Sequence, residues 1–310
     1  MVIRPYLAGD EAAQARIYNA VAGPLPNFKS ATSAEIARRH HGTDSLAAST
    51  FYAVEAGEIV GYAVFDRNNG RISYPWCLPG HESAQRPLLE TVLNAMKGLG
   101  LSQAWAAYRA DWTTILDDLR AQAFLSTREM INYVAELSAI PHEPVPPGFS
   151  IGSLQRDESA PLLRWLGGMD SPANRAFLEH FFWENPYFSP ESLFAVRREA
   201  DGQVVGVALV VQRDGFADPT KLDSAMPCFR LGAFGVERER HKRVNGLFSC
   251  LSDSPEVRTI LLGEAVRRLE QAGLNHIAAQ ASSDQPELVA FYDRMFQRQG
   301  SFPILSRRLA

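Results

Sequence analysis

Phe51-Tyr52-Ala53-Val54-Glu55-Ala56-Gly57-Glu58-Ile59-Val60-Gly61-Tyr62-Ala63-Val64 reads as a strand, a glycine-bearing turn and a second strand. Apolar runs rich in β-branched and aromatic residues alternate on either side of the turn, the pattern of a hairpin. The same pattern returns later in the chain as Leu193-Phe194-Ala195-Val196 and, after a charged turn, Asp201-Gly202-Gln203-Val204-Val205-Gly206-Val207-Ala208-Leu209. The second glycine of each copy, Gly61 and Gly206, stands inside a strand, where it marks a bulge or the close approach of another segment or a ligand.

The repetition extends downstream. Leu88 to Gly100 has helical spacing, with Leu88, Leu89, Val92, Leu93 and Met96 on one face and glycine at the end. Leu261, Leu262, Ala265, Val266 and Leu269, closed by Ala272-Gly273-Leu274, repeat it. A short apolar strand follows each helix, Ala104 to Tyr108 and His276 to Gln280. Then comes a second amphipathic helix, Trp112 to Phe124 in one half and Pro286 to Gln299 in the other. The halves open alike, with Ile3-Arg4-Pro5-Tyr6 and Phe149-Ser150-Ile151 before acid-led helices at Asp10 and Asp157. The chain is read as a duplicated unit. Ile140-Pro141-His142-Glu143-Pro144-Val145-Pro146-Pro147-Gly148 holds nothing helical and reads as an extended connector. The expected layout is one domain over 1–140, a proline-rich linker over 141–148 and a second domain over 149–310.

The copies differ in one place. Gly57 and Gly202 stand 145 residues apart and Gly100 and Gly273 stand 173 apart, so the second copy carries 28 extra residues between its hairpin and its long helix. An insertion of that length in a compact domain is usually a functional loop or a spacer, and its aromatic and glycine content favours the loop.

Composition narrows the function classes. A chain of 310 residues is comfortable for two domains of about 150, and 46% hydrophobic residues let each bury a core. The net charge of −4 argues against bulk phosphate neutralisation, so no nucleic-acid partner is expected. No run of 18 apolar residues appears, which predicts no membrane span. Met1-Val2-Ile3-Arg4-Pro5 does not open a signal peptide, and a cytoplasmic location is the expectation. Cys77, Cys228 and Cys250 form no C-x-x-C pair, so neither a disulfide framework nor structural zinc is expected. His40-His41 beside Arg38-Arg39 reads as a solvated helix end rather than a metal site. No Walker loop, dinucleotide fingerprint or Gly-x-Ser-x-Gly elbow is present.

The element order, the Arg4-Pro5-Tyr6 opening with Asp10-Glu11, the paired hairpins and the helix ending Ala272-Gly273-Leu274 together resemble the GNAT superfamily of acyl-CoA-dependent N-acyltransferases, in its tandem form. The resemblance covers nearly the whole chain, twice. It implies an α/β (α+β) architecture of two domains, each a mixed, mostly antiparallel twisted sheet flanked by helices. It also implies an N-acetyltransferase with acetyl-CoA as cosubstrate and no metal. The acceptor would be a primary amine of a small molecule or peptide, and the protein a monomer or homodimer. Fold does not fix function, so the alternative is a catalytically inactive GNAT-fold binding or scaffold protein.

The resemblance also indicates where chemistry would sit. Its signature is an Arg/Gln-x-x-Gly-x-Gly/Ala loop after the fourth strand, whose amides cradle the CoA pyrophosphate at a helix N-terminus. In the first copy the matching Pro79-Gly80-His81-Glu82-Ser83-Ala84-Gln85-Arg86-Pro87 lacks that pattern and carries Glu82, so the copy reads as degenerate and non-catalytic; the alternative is a modified anion site at Arg86 and the amides of Ala84 to Arg86. In the second, Asp253 to Ile260 has no Gly-x-Gly either, and Ser254-Pro255 reads as an N-cap and first helical position. The pattern is met instead earlier, so Gly235, Val236, Arg240, His241, Arg243, Asn245 and Gly246 are the cofactor-binding candidates; the alternative is a solvated charged loop. Tyr292, in Ala290-Phe291-Tyr292-Asp293-Arg294, matches the family's proton donor to the departing thiolate, where the first copy has Leu119; the alternative is a half-buried helix residue. Glu237 is the candidate base, although Glu237 and Glu239 alternate with Arg238 and Arg240 as a salt-bridged ladder would. Phe181, Phe182, Trp183, Tyr187 and Phe188 stand where relatives close over the acceptor; the alternative is core packing of a short helix.

Overall fold

The computed structural model describes residues 1–41, 47–159, 183, 190–212 and 246–309. The first repeat runs β1 (Val2–Pro5), α1 (Glu11–Ala22), α2 (Ser33–His41), β2 (Thr50–Glu55), β3 (Glu58–Val64), β4 (Trp76–Cys77), α3 (Gln85–Gly98), β5 (Gln103–Ala107), α4 (Thr113–Ala121) and β6 (Leu125–Glu136). The second runs β7 (Phe149–Ser153), β8 (Leu193–Arg198), β9 (Val204–Val210), β10 (Leu247–Leu251), α5 (Pro255–Gln271), β11 (His276–Ser282), α6 (Pro286–Met295) and β12 (Gln297–Arg308). Among the described residues no helix is long and apolar enough to cross a membrane.

The two copies share more than their order. Each hairpin carries a register shift at the same place, between Ala53 and Val54 in β2 and between Val196 and Arg197 in β8, opposite Gly61 and Gly206. The strand glycines serve close approach as well. A Cβ on Gly61 would lie 2.6 Å from Cys77 Sγ and 3.1 Å from Leu88 Cδ1, and one on Gly206 2.4 Å from Val257 Cγ1 and 3.0 Å from Leu261 Cδ1. In both copies, therefore, a missing side chain lets the long helix lie directly on the hairpin. That helix ends alike too. Gly100 and Gly273 take φ of +76° and +73°, and Leu101 and Leu274 donate back to the carbonyls of Met96 and Leu269 at 3.1 and 3.0 Å, closing Schellman turns.

Some boundaries differ from the sequence reading. A 3-10 turn at Glu82–Ala84 leads into α3 at Gln85, ahead of Leu88. α4 stops at Ala121, with Ala123 at φ +63°, and α6 stops at Met295, with Phe296 extended, because the long strands β6 and β12 begin directly afterwards.

The chain divides into two compact units, Met1–Met130 with Ser301–Ala310, and Ile131–Gly300. The division thus falls within β6 rather than in the 141–148 segment, and the last ten residues return to the first unit. Side-chain burial is the reason. Ile131, Tyr133, Ala135, Leu137 and Ile140 belong to the second core, whereas Leu305 belongs to the first. In the first unit a sheet ordered β1-β2-β3-β4 stands beside β5-β12-β6, with β12 antiparallel to β5 from Ile304/Ala107 to Arg308/Gln103. In the second unit the order is β6-β11-β10-β9-β8-β7. Antiparallel pairs dominate; β10 with β11 is parallel. Over these sheets α3 buries Leu88, Leu89, Val92, Leu93 and Met96, and α5 buries Val257, Ile260, Leu261, Leu262, Ala265, Val266 and Leu269. Each large aliphatic side chain contributes about 1.5–3 kcal/mol at most.

Candidate functional site

The parallel pair β10–β11 is short. Leu247 pairs with Ala278 and Phe248 with Ala279, and there the pairing stops, although β10 continues to Leu251 and β11 to Ser282. The strands part over their last three residues. Each then turns into a helix, β10 into α5 and β11 into α6. In an open α/β sheet a gap between parallel strands at their carboxyl ends is where ligands are taken.

Tyr292, on α6, reaches this fork. Its hydroxyl lies 3.8 Å from Sγ of Cys250, two residues past the last pairing residue of β10. Its ring is fully buried among Tyr133, Phe248, Phe291 and Phe296, with centroid distances of 5.2–6.4 Å. Burial, reinforced by the neighbouring thiol, holds the phenol far above its ordinary range, so it stays protonated at any working pH. Burial likewise pushes the Cys250 thiol up to about 11. At the end of β11 the buried Ser282 hydroxyl finds no hydrogen-bond partner.

The turn from β10 into α5 comprises Ser252 to Ser254. Ser252 Oγ donates to the Val205 carbonyl at 3.0 Å and accepts from the Ser254 N–H at 3.1 Å. Ser254 caps α5 by accepting from the Val257 N–H at 3.4 Å, and Pro255 takes the first turn, as the sequence predicts. Arg258 is 8% exposed. Its Nε donates to the Ser252 carbonyl at 3.0 Å and its Nη2 to Glu287, on the first turn of α6, at 3.2 Å. The turn has no glycine, Pro255 brings no N–H, and Asp253 and Glu256 are acidic.

The predicted site residues fare unevenly. Gly235, Val236, Glu237, Arg240, His241, Arg243 and Asn245 lie outside the described residues, as do Phe181, Phe182, Tyr187 and Phe188. Their place in the chain corrects one premise. They precede β10, whereas the loop that follows the strand is Ser252 to Ser254. Gly246 is also corrected. Its N–H donates to Val211 at 2.7 Å and its carbonyl accepts from Ala278 at 2.8 Å, so both groups belong to the sheet. Its φ of +77°, with a Cβ position 2.4 Å from the His276 carbonyl oxygen, explains the glycine without a cofactor. Tyr292 is wholly buried rather than half-buried.

The first unit shows the same fork, filled. Ile72 donates to the Trp105 carbonyl at 2.8 Å and Trp105 to that of Gly70 at 3.0 Å, in a parallel bridge of Arg71 with Trp105. Past the bridge, the Tyr108 hydroxyl accepts the Tyr74 N–H. The Tyr74 hydroxyl donates to Asp118 at 2.5 Å and accepts from Gln85 at 3.0 Å. Trp76 meets Tyr18, Tyr74, Tyr108 and Trp112 edge-on at 5.1–6.3 Å. At the following turn Glu82 accepts the Gly80 N–H at 2.9 Å, and hydrogen bonds from that amide and its own hold the carboxyl below its usual range. An internal carboxylate thus takes amides that an anion would use.

Two features escaped the sequence. His40 is 3% exposed, not a solvated helix end. It stacks on Tyr6 at 4.2 Å, and its Nε2 lies 3.1 Å from Gln14 Oε1, which also accepts from the Tyr52 hydroxyl at 2.7 Å. Arg258 reads in sequence as an ordinary helix residue; the signal was its register. Arg258 and Gln85 stand 173 residues apart, as do Leu261 and Leu88, which meet Gly206 and Gly61, and Tyr292 and Leu119, so the two helices keep one register in both copies. Among the described residues no group of three or more His, Cys, Asp or Glu gathers to hold a metal.

A hairpin, a long helix, a forked parallel pair and a second helix, present twice in one chain, define the tandem GNAT fold. This chain has that fold: it is similar over 99% of its length to a GCN5-related N-acetyltransferase from Sphaerobacter thermophilus, spanning 95% of that protein with a TM-score of 0.64 at 16% identity. It is similar over its whole length, and over 98% of the other chain, to a tandem GNAT protein from the clavulanic acid biosynthesis pathway, with a TM-score of 0.59 at 10% identity. A third likeness, TM-score 0.64 at 12% identity, is to a glucosamine N-acetyltransferase region in a fungal multi-domain β-N-acetylglucosaminidase, of which this chain spans 38%. No family model and no curated protein matches the chain.

Proposed function

We propose that this chain is an acyl-CoA-dependent N-acyltransferase that takes acetyl-CoA at the β10–β11 fork of the second unit and acetylates a primary amine of a small molecule or peptide. The carrying observation is the Tyr292 phenol beside Cys250, just past the point where the strands part. Acetyl-CoA supplies an activated acyl group and a thiolate leaving group. In this reading the backbone of β10 past Phe248 orients the acyl end. Tyr292 donates its proton to the departing sulfur, and burial keeps the phenol protonated until then. Glu237 is the proposed base for the acceptor amine. Arg240, His241, Arg243 and Asn245, in the insertion before β10, are the proposed partners of the phosphates, because the Ser252 to Ser254 turn offers them no glycine cradle. The first unit, its fork filled and its turn occupied by Glu82, supports rather than catalyses.

A specific observation favours a second reading. Asp253 and Glu256 put negative charge at the start of α5, where the family holds pyrophosphate, and Pro255 removes an amide there. On that ground the protein would be a GNAT-fold binding or scaffold module. Titration calorimetry with acetyl-CoA, followed by turnover with a panel of primary amines, separates the two. Saturable binding with CoA release supports the enzyme. No heat at millimolar acetyl-CoA leaves the scaffold.

A further inference from the structure

We propose that the ion pair between Arg258 and Glu287 is a latch that holds the β10–β11 fork shut, and that opening this latch admits a ligand to Tyr292; the second clause rests on the acyltransferase reading above. The two strands that part past Phe248 and Ala279 each lead into a helix, and the pair joins the first turns of those helices. Arg258 ties the β10 side through the Ser252 carbonyl, at 3.0 Å, to Glu287 on the β11 side, at 3.2 Å. Its span therefore crosses the mouth of the gap.

The first unit shows what a permanent closure at this place looks like. There Gln85, the counterpart of Arg258, holds the Tyr74 hydroxyl, which in turn donates to Asp118 on the following helix. Tyr108 covers the Tyr74 amide, and Trp76 packs among four aromatic rings behind it. That closure is neutral at Gln85 and backed by buried aromatics. The closure in the second unit is ionic, and one partner faces water: the Arg258 side chain is 9% exposed and that of Glu287 74%. A pair with one hydrated partner is weaker and more screened by salt than a fully buried one. When it breaks, Glu287 passes into solvent and Arg258 keeps its bond to the Ser252 carbonyl, so the guanidinium stays hydrogen-bonded on the β10 side. The closed state also leaves the buried Ser282 hydroxyl, at the tip of β11, without a partner, a cost that opening relieves.

The test is backbone hydrogen exchange on the full chain without ligand, at low and high salt, for the unaltered protein, Glu287→Gln and Glu287→Lys. Glu287 is exposed, so both variants keep the fold. Peptides covering 249–254 and 280–285 should exchange at least about two- to fivefold faster in Glu287→Gln, the exposed-pair scale being a lower bound for a pair with one buried partner, and faster still in Glu287→Lys. High salt should speed the same peptides in the unaltered protein and leave Glu287→Gln unmoved. Unchanged exchange in both variants overturns the latch, and so does acceleration spread equally through β8 and β9. Acetyl-CoA binding is read separately. If the latch behaves as described and no variant binds acetyl-CoA, the acyltransferase reading fails and the latch stands. If acetyl-CoA binds while exchange is indifferent to residue 287, the latch fails and the acyltransferase reading stands.

Discussion

Placing a methyl group on Gly206 probes the contact on which the second unit is built. The new Cβ would stand 2.4 Å from Val257 Cγ1, 3.0 Å from Leu261 Cδ1 and 3.3 Å from Ser252 Cβ, against about 3.5–4.0 Å for relaxed carbon contacts. The shortfall at Val257 exceeds about 1 Å by that standard. Val257 is β-branched, buried and in a helix, so it has one good rotamer and nowhere to turn, and Leu261 is fully buried. The first turns of α5 must therefore lift off β9. Overpacking of this kind costs about 1–3 kcal/mol, and replacing glycine within a strand returns about 0.5–1 kcal/mol. The net loss of about 1–2 kcal/mol should lower the melting midpoint by about 2–8 °C for a unit of this size. Gly98→Ala is the control of opposite sign. Its Cβ meets nothing within 4 Å in α3, so it should raise stability by about 0.4–1 kcal/mol. Calorimetric melting of the three proteins decides. A Gly206→Ala chain that melts at or above the unaltered one refutes the close helix–strand contact and with it the paired role of Gly61 and Gly206.

Tyr292→Phe should lower turnover by about 10²-fold or more while changing stability by less than about 1 kcal/mol, because the hydroxyl makes only a long contact with sulfur; equal turnover in the variant would remove Tyr292 as the acid. Burial pushes the Cys77 thiol up to about 12 and that of Cys250 up to about 11, so in a Cys228→Ser chain no thiol should react with a disulfide reagent near pH 8 until denaturant is added; prompt reaction would contradict the burial of both. Hydrogen bonds from Arg197, at 2.5 and 2.8 Å, hold Glu158 below the usual carboxylate range. A depressed carboxyl stabilises the fold above its unfolded pKa of about 4 and loses that contribution as pH falls through the lower folded value. Arg197→Gln should therefore trail the unaltered protein in urea midpoint at neutral pH, with the gap narrowing below about pH 4; a gap independent of pH would count against the pairing.

The hairpins were legible because alternation and turn glycines are local. So was the duplication, since Gly57 and Gly202, Gly61 and Gly206, and Gly100 and Gly273 each answer one backbone demand. The return of 301–310 to the first unit was not legible, because a period of two tells which face of a strand is apolar and not which strand it pairs with. The loop after the fourth strand is hard to place from sequence because Leu247-Phe248-Ser249-Cys250-Leu251, between Gly246 and Ser252, is too short an apolar run to tell a buried strand from a helix segment. Once β10 is recognised, the basic cluster at 240–243 falls before it. His40 is misleading in sequence because its partners Tyr6 and Gln14 come from other parts of the chain and its neighbours Arg38 and Arg39 look solvated. Arg258 was hidden for a related reason: only the fork gives its pairing with Glu287 a meaning.

The proposed function places acetyl-CoA at the fork of the second unit and not at that of the first. Hydrogen exchange with and without saturating acetyl-CoA tests it most directly. Exchange should slow in peptides covering 249–258 and 280–292, with 74–86 and 105–119 unchanged. Protection confined to the first unit's fork, or none in either unit, would contradict it.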